Sequence, residues 1–281
     1  MHSSKQLYND AVKRINEKYE LSEAESIASI LLEDSFGVRR EHVLLDEKIA
    51  IDLAQLELLV RRVLQNEPIQ YITGLSHFLG RRFHVRKGTL IPRPETEELV
   101  RLILDENKLE KPRILDVGTG SGCIAISLAL ETEGNVVGLD ASEDALRIAR
   151  ENSSTLGGST NFLQHDILSS NPSISELDIL VSNPPYIPQK DKERMHNNVL
   201  DYEPHEALFV SNDDPLIFYR RIAEFGRQSL KKNGKLYFEL HEEFADEVKS
   251  LVETLDYSEV RIHRDMQGKD RMLSATNSAN K

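Results

Sequence analysis

The residues VSNPPYIP (181–188) place an asparagine, two prolines and a tyrosine directly behind an apolar run. Pro184 and Pro185 have no backbone N–H, so a strand that reaches them cannot continue pairing in a sheet. A residue before proline avoids the helical region, which holds Asn183 extended and aims its amide. The Asn183 amide oxygen and the freed Pro184 carbonyl are two acceptors for the two hydrogens of one planar –NH2 group. The ring of Tyr186 can then cover a flat substrate. Two acceptors suit a nitrogen that is a poor nucleophile because its lone pair is delocalised into a carbonyl. They fix the nitrogen toward a donor carbon and favour the positive charge that grows on it. No strong general base is needed, so no catalytic histidine is expected nearby. A proline-rich turn, or a ligand for a proline-recognition module, would explain NPP but not its place at a strand end beside a nucleoside loop.

That loop is DVGTGSG (116–122), whose glycines allow a sharp turn and close approach to a ligand. A dinucleotide fingerprint would require glycine where Cys123 stands, so the spacing disfavours a pyrophosphate reader. Asp140 ends the next strand, 18 residues beyond Gly122, where an acid can accept both ribose hydroxyls of a nucleoside. Asp166 ends the third strand, in reach of an adenine amino group. Either aspartate alone reads as a cap or turn residue; together with the glycine loop they favour nucleoside binding. Asp116 is expected to orient the loop and the ligand's amino group, and Cys123 to be a small core residue.

The elements that must position these groups are legible from periodicity. From 113 onward strand and helix alternate: strands at 113–118, 135–140, 160–166, 177–185 and 235–241, helices at 123–131, 142–157, 215–234 and 242–256, then a terminal hairpin over Gly268. This predicts an α/β fold, a doubly wound, mainly parallel sheet with its site at the carboxyl ends of the strands. Residues 4–70 read as helix throughout, with apolar spacing of 3 to 4, a capping box from Ser22 to Glu25 and a stop at Gly37. HFLGRRFHV (77–85) reads as a hairpin around Gly80. The expected domains are a helical bundle over 1–71, a hairpin linker over 72–92 and the catalytic domain over 93–281. Residues 187–214 read as a long polar loop that faces the substrate.

Composition limits the functional classes. The 281 residues include one cysteine, so no internal disulfide forms, and the nine histidines lack zinc-type spacing; no metal or redox role is indicated. The N-terminus MHSSKQLYND has no signal-peptide pattern, and the apolar runs reach about half of the ~20 residues of a bilayer span, so a cytoplasmic protein is expected. Residues 1–90 carry 13 basic and 13 acidic side chains, which leaves the whole net charge of -12 on the remainder. That sign argues against stable nucleic-acid binding and suits a basic partner.

The order of motifs resembles the release-factor glutamine methyltransferases, the HemK/PrmC group of S-adenosylmethionine enzymes. The matching stretches are LIPRPETEELV (90–100), ILDVGTGSGCIAISLAL (114–130), Asp140, VSNPPYIP (181–188), YEPHEAL (202–208), FYRRI (218–222) and QGKDRM (267–272). NPPY alone is shared with amino methyltransferases of RNA and of DNA adenine, which stand as the alternative reading. The resemblance implies a Rossmann-like methyltransferase domain that uses S-adenosyl-L-methionine and releases S-adenosyl-L-homocysteine. It implies that Gly118, Thr119, Gly120, Ser121 and Gly122 wrap the methionine part of the cofactor, Asp140 its ribose, and Asp166 with Ile167 its adenine. Asn183, Pro184, Pro185 and Tyr186 would hold the substrate glutamine, with Asn183 also near the methyl donor and Asn183, Pro184 and Tyr186 forming the catalytic centre. Arg93 is expected at the cofactor's edge. The implied substrate is the glutamine of the Gly-Gly-Gln motif of peptide-chain release factors, methylated on its side-chain amide nitrogen, with the helical domain as the docking element. Ile167 stands where the family commonly has an aromatic residue, which predicts weaker stacking on adenine.

Overall fold

The computed structural model describes residues 1–278. The chain forms two compact units, one of Met1–Leu75 with His196–Tyr202, the other of Ser76–Met195 with the chain from Glu203 onward.

In the first unit, α1 (Ser4–Ile15), α2 (Leu21–Phe36), α3 (Arg40–Leu44), α4 (Leu53–Leu64) and α5 (Ile69–Thr73) surround a core that includes Ile15, Ala28, Leu31, Leu32, Val60 and Val63. The segment read as helix throughout is divided by short connections, one of which contains β2 (Lys48–Ile49), paired antiparallel with β1 (His2–Ser3). α2 stops at Gly37, which takes the left-handed conformation at φ 68° and donates its N–H back to Glu33. The capping box expected from Ser22 to Glu25 does not form. The helix starts two residues earlier, with Glu20 in the capping position: the Glu20 carbonyl already accepts the Ala24 N–H, and the Ser22 carbonyl serves Ser26 Oγ inside the helix. The helix Asn197–Tyr202 belongs to this unit, with Tyr202 Oη donating to the Gln65 carbonyl at 3.1 Å.

The second unit opens with the hairpin β3 (Leu75–Phe78) and β4 (Arg81–His84), whose two turn residues, Leu79 and Gly80, both have positive φ. Phe78 and Phe83 meet edge to face at 5.9 Å and are fully buried in this unit's core, so the hairpin is packed into the unit from Ser76 on. Then come α6 (Pro94–Glu106), β5 (Arg113–Val117), α7 (Cys123–Thr132), β6 (Asn135–Asp140), α8 (Glu143–Leu156), β7 (Asn161–Gln164) and β8 (Leu177–Ser182). Residues 187–214 are structured, against the expectation of a long loop. β9 (Ile187–Pro188) pairs parallel with β10 (Phe209–Val210), and between them lie a 3-10 turn, α9 (Asn197–Tyr202) and α10 (His205–Leu208). Elements of two to six residues are too short to leave a periodic pattern in sequence.

The last third contains α11 (Ile217–Ser229), β11 (Leu230–Glu239), α12 (Ala245–Thr254) and the terminal hairpin β12 (Tyr257–Arg264) and β13 (Asp270–Asn277). α11 does not reach Gly234 as its sequence suggests. Leu230 already pairs with Leu177, and its carbonyl accepts from Asn277 Nδ2, so sheet pairing takes KKNG away from the helix. The seven strands run in the order β12-β13-β11-β8-β5-β6-β7, with β11, β8, β5, β6 and β7 parallel and the terminal hairpin antiparallel. The chain winds outward from β5 through β6 to β7, then returns to lay β8 on the other side of β5. The β5–β8 boundary is therefore the switch point, where ligands bind in such sheets.

Gly138, in the middle of β6, shows how tightly the site's scaffold is packed. A Cβ there would lie 2.8 Å from both the Phe162 ring and Thr119 Oγ. We expect Gly138→Ala to lower stability by about 1–3 kcal/mol, as overpacking does; a denaturant midpoint equal to that of the parent chain would contradict this packing.

Candidate active site

Two parallel strands, β5 and β8, end level with one another, and β11 beside them runs one residue further. Val117 of β5, Ser182 of β8 and Phe238 of β11 are in register, and Ser182 Oγ donates to the Val117 carbonyl at 2.6 Å. The next residues along each chain are Gly118, Asn183 and Glu239. The sheet thus delivers the glycine loop, the NPPY motif and a glutamate to one edge.

The loop is held from below. Gly118 and Thr119 both donate to the Leu139 carbonyl at 2.8 Å, and Thr119 Oγ donates to Asp116 at 2.6 Å. Gly118 and Gly120, both at positive φ, line a cavity of about 520 Å³, and at Gly120 a Cβ would meet nothing within 4 Å. Thr119, Ser121 and Gly122 do not line it; they are the scaffold behind. At Gly122 a Cβ would lie 2.8 Å from Ile126 and 3.2 Å from Ala149, so the loop can enter α7 there only as glycine. Asp116 is fully buried with Oδ1 unpartnered, and burial pushes its carboxyl up to about 7. Cys123 is buried as a core residue, its thiol pushed up to about 12 by burial.

Asp140 lines the cavity. Its Oδ2 accepts from the Gly120 N–H at 2.8 Å and its Oδ1 from the Ser142 N–H at 2.9 Å, and burial raises its pKa. Each oxygen keeps a further lone pair for a ligand hydroxyl. Asp166 and Ile167 line the same cavity; Asp166 Oδ1 closes a turn onto the Leu168 N–H at 2.9 Å. His165 is there too, with Nε2 2.9 Å from the Ser170 carbonyl, a neighbour the sequence reading did not anticipate. Phe218 and Ile222 of α11 add an apolar wall. The rest of FYRRI anchors that helix: Tyr219 Oη donates to the Glu239 carbonyl and Arg221 Nε to the Ile167 carbonyl, each at 3.0 Å.

Asn183, Pro184 and Pro185 also line the cavity, whereas Tyr186 does not. Its ring stands edge-on to His241 at 5.8 Å, bordering a second, smaller cavity of about 360 Å³. Asn183 Nδ2 donates to Thr96 Oγ at 3.2 Å, and Thr96 Oγ donates to Glu239 Oε2 at 2.6 Å. Tyr186 Oη donates to the other carboxylate oxygen, Oε1, at 3.2 Å. Glu239 is buried, which raises its pKa, while the Thr96 and Tyr186 hydroxyls and the Arg271 guanidinium oppose the rise.

Thr96 and Glu239 escaped the sequence reading: Thr96 lies within LIPRPETEELV, which carried only the family resemblance, and Glu239 within the strand expected at 235–241. The available signal was the cost of a carboxylate in an otherwise apolar strand, which is borne only where partners wait for it. Arg93 is not at the cavity. It pairs with Glu203 of YEPHEAL, whose other oxygen accepts the Ile91 N–H at 3.1 Å.

Two glycines, the carboxylates of Asp140, Asp166 and Glu206, and an apolar wall fit a nucleoside-bearing cofactor with a charged tail. Comparisons with known proteins agree in class. The chain matches the family model described as "Methyltransferase small domain" over residues 96–203 and the one described as "PrmC N-terminal domain" over 6–74. It is 44% identical to a release factor glutamine methyltransferase of Bacteroides thetaiotaomicron, covering 92% of this chain and 94% of the relative. It is 41% identical to that of Flavobacterium psychrophilum, covering 91% and 92%. Among solved structures, a methyltransferase from Pyrococcus furiosus aligns over 78% of this chain and 98% of its own, with a TM-score of 0.54 at 18% identity, a likeness of fold.

The buried Asp116 gives a pH signature. Its folded pKa lies above the ordinary 3.8, so folding favours the protonated form and stability falls as pH rises from about 4 to about 7, then levels. Asp116→Asn removes this titration. We expect its thermal midpoint, relative to the parent chain, to improve between pH 4 and 7 and to stay constant above; a difference independent of pH would contradict the assignment.

Proposed function

The chain belongs to the release factor glutamine methyltransferases, and from that premise we propose that it transfers a methyl group from S-adenosyl-L-methionine to the side-chain amide nitrogen of the glutamine in the Gly-Gly-Gln motif of a peptide-chain release factor. The observation that carries this reading is the engagement of Asn183 through Nδ2 by Thr96, which leaves Oδ1 as the free acceptor of a cavity-lining amide.

Gly118 and Gly120, with Thr119, Ser121 and Gly122 as the scaffold behind them, would hold the methionine portion of the cofactor, Asp140 its ribose, and Asp166 with Ile167 and Phe218 its adenine. When bound, the cofactor supplies an electrophilic methyl group on a sulfonium sulfur. Asn183 Oδ1 and the Pro184 carbonyl accept the two N–H bonds of the glutamine amide and hold its nitrogen face-on to the donor. Both bonds strengthen as positive charge develops on nitrogen, so they act mainly in the transition state. Transfer would break the donor's S–CH3 bond as the N–C bond forms, leaving S-adenosyl-L-homocysteine, and the nitrogen's proton, by then strongly acidic, would leave to water without a dedicated base. Tyr186, tethered by its hydroxyl to Glu239 and bordering the second cavity, would cover the glutamine with its ring.

The first unit is assigned to docking the release factor. Such a factor works against ribosomal RNA and presents basic surface, which the acidic second unit complements. The enzyme would act in the cytoplasm, where translation terminates, without membrane or stable nucleic-acid partners. No helix among the described residues is long and apolar enough to cross a membrane.

Labelled methyl donor offered with a release factor, with that factor's Gln-substituted variant, and with RNA tests the reading. Label is expected on the unmodified factor alone; label on RNA would overturn it in favour of a nucleic-acid amino methyltransferase. Within the site, Asn183→Ala should lower kcat by at least a hundred-fold while cofactor affinity changes little, and Asp140→Ala should do the reverse. Equal losses of cofactor affinity in both would make Asn183 a cofactor residue.

A further inference from the structure

Asn183 can present either its oxygen or its nitrogen to a ligand, because the two ends of a side-chain amide have the same shape. Which end faces the cavity decides what the site accepts. Oxygen inward binds the –NH2 of a glutamine; nitrogen inward binds a carboxylate or a carbonyl. The choice is not made by Asn183 itself: its side-chain amide donates to Thr96, which does not line the cavity.

The polarity is set one and two hydrogen bonds away. Thr96 is buried and has a single hydroxyl proton, which lies on Glu239 Oε2 at 2.6 Å. With that proton committed, Thr96 Oγ can only accept, and the partner that reaches it at 3.2 Å must donate. Only Asn183 Nδ2 can do so. The orientation is thus fixed by the logic of the network, which is the sound basis for telling amide oxygen from nitrogen. Glu239 can receive at both oxygens because Tyr186 supplies the second proton and Arg271 favours the carboxylate electrostatically.

We propose that Thr96 and Glu239 are positioning residues that set the amide-over-carboxylate specificity of the site by locking Asn183 with its oxygen toward the substrate. This rests on the reading of the site as a glutamine-amide methyltransferase. A locked oxygen attracts the substrate's –NH2 and repels the carboxylate of a glutamate at the same position. A merely structural pair would support the fold and leave this discrimination untouched.

Thr96→Val keeps the shape and removes both the donor and the acceptor, so the Asn183 amide is free to turn over. Thr96→Ser keeps both. Glu239→Gln places an amide donor within reach of Thr96 and allows the whole chain of bonds to reverse. The probes are the full-length release factor as substrate and its Gln→Glu variant as competitive inhibitor. Thr96→Val and Glu239→Gln are expected to lose at least ten-fold in kcat and to be inhibited by the Glu variant at least five-fold more strongly relative to substrate KM. Thr96→Ser should match the parent chain in both, and S-adenosyl-L-homocysteine affinity should stay within two-fold throughout. Unchanged discrimination in Thr96→Val, or failure of Thr96→Ser to restore it, would overturn the proposal. The parent chain comes first in the same assay: if it leaves the release factor unlabelled, the proposed function fails, and the variants then bear on nothing else.

Discussion

Strand β8 stops directly after Ser182, level with Val117 on one side and Phe238 on the other. Had β8 continued, the carbonyls of Asn183 and Pro184 would have been drawn into pairing with the neighbouring strands. Two successive prolines forbid that. Because β5 and β8 end on one line and β11 runs one residue further, three adjacent positions meet there: a glycine with no side chain to obstruct a ligand, an asparagine with a polar one, and behind them Glu239, still paired with Met272. The register of the sheet, itself dictated by apolar residues at Ile114, Leu115, Ile179, Leu180 and Leu236, is therefore what composes the site.

Two buried glutamates connect this edge to segments far away in sequence. Glu239 receives Thr96 from the first turn of α6 and Tyr186 from beyond β8. Glu203 receives Arg93 and the Ile91 N–H from just before α6. Desolvating a carboxylate costs several kcal/mol, and it persists only where its oxygens are supplied with donors. Each glutamate is supplied, and the same bonds fix the N-terminal end of α6 between them. Within PRPETEEL the arginine and the threonine are thus the two points at which the helix is pinned, to Glu203 and to Glu239.

Much of this was legible in the sequence, for identifiable reasons. Strands buried on both faces announce themselves as apolar runs, and their ends are marked by Gly118, Asp140 and Pro184, residue types that cannot be ladder members or that favour turns. Those signals are local. The failures were of the opposite kind. The end of α11 at Ser229 is decided by Leu230 pairing with Leu177 and by Asn277, a side chain 47 residues away. Ser22 and Glu25 have the spacing of a capping box, yet the helix begins ahead of them. The sequence could not place Tyr186 outside the main cavity either, because the tether that holds it, Glu239, lies 53 residues downstream. Thr96 and Glu239 are 143 residues apart, and nothing at either position alone names the other.

That separation bears on how NPPY should be understood. The motif provides an asparagine amide and a free carbonyl, but an amide is chemically two-faced, and the motif contains nothing that chooses between its faces. The choice needs a proton donor already committed elsewhere, which in turn needs an acceptor that is buried, charged and unable to recruit water. A carboxylate buried on the adjacent strand, where Glu239 pairs with Met272, meets all three conditions; a surface carboxylate would be charged but would meet neither of the others, since water would satisfy it and release the threonine. The burial of Glu239, costly by itself, is then the feature that gives a four-residue motif a definite chemical sense.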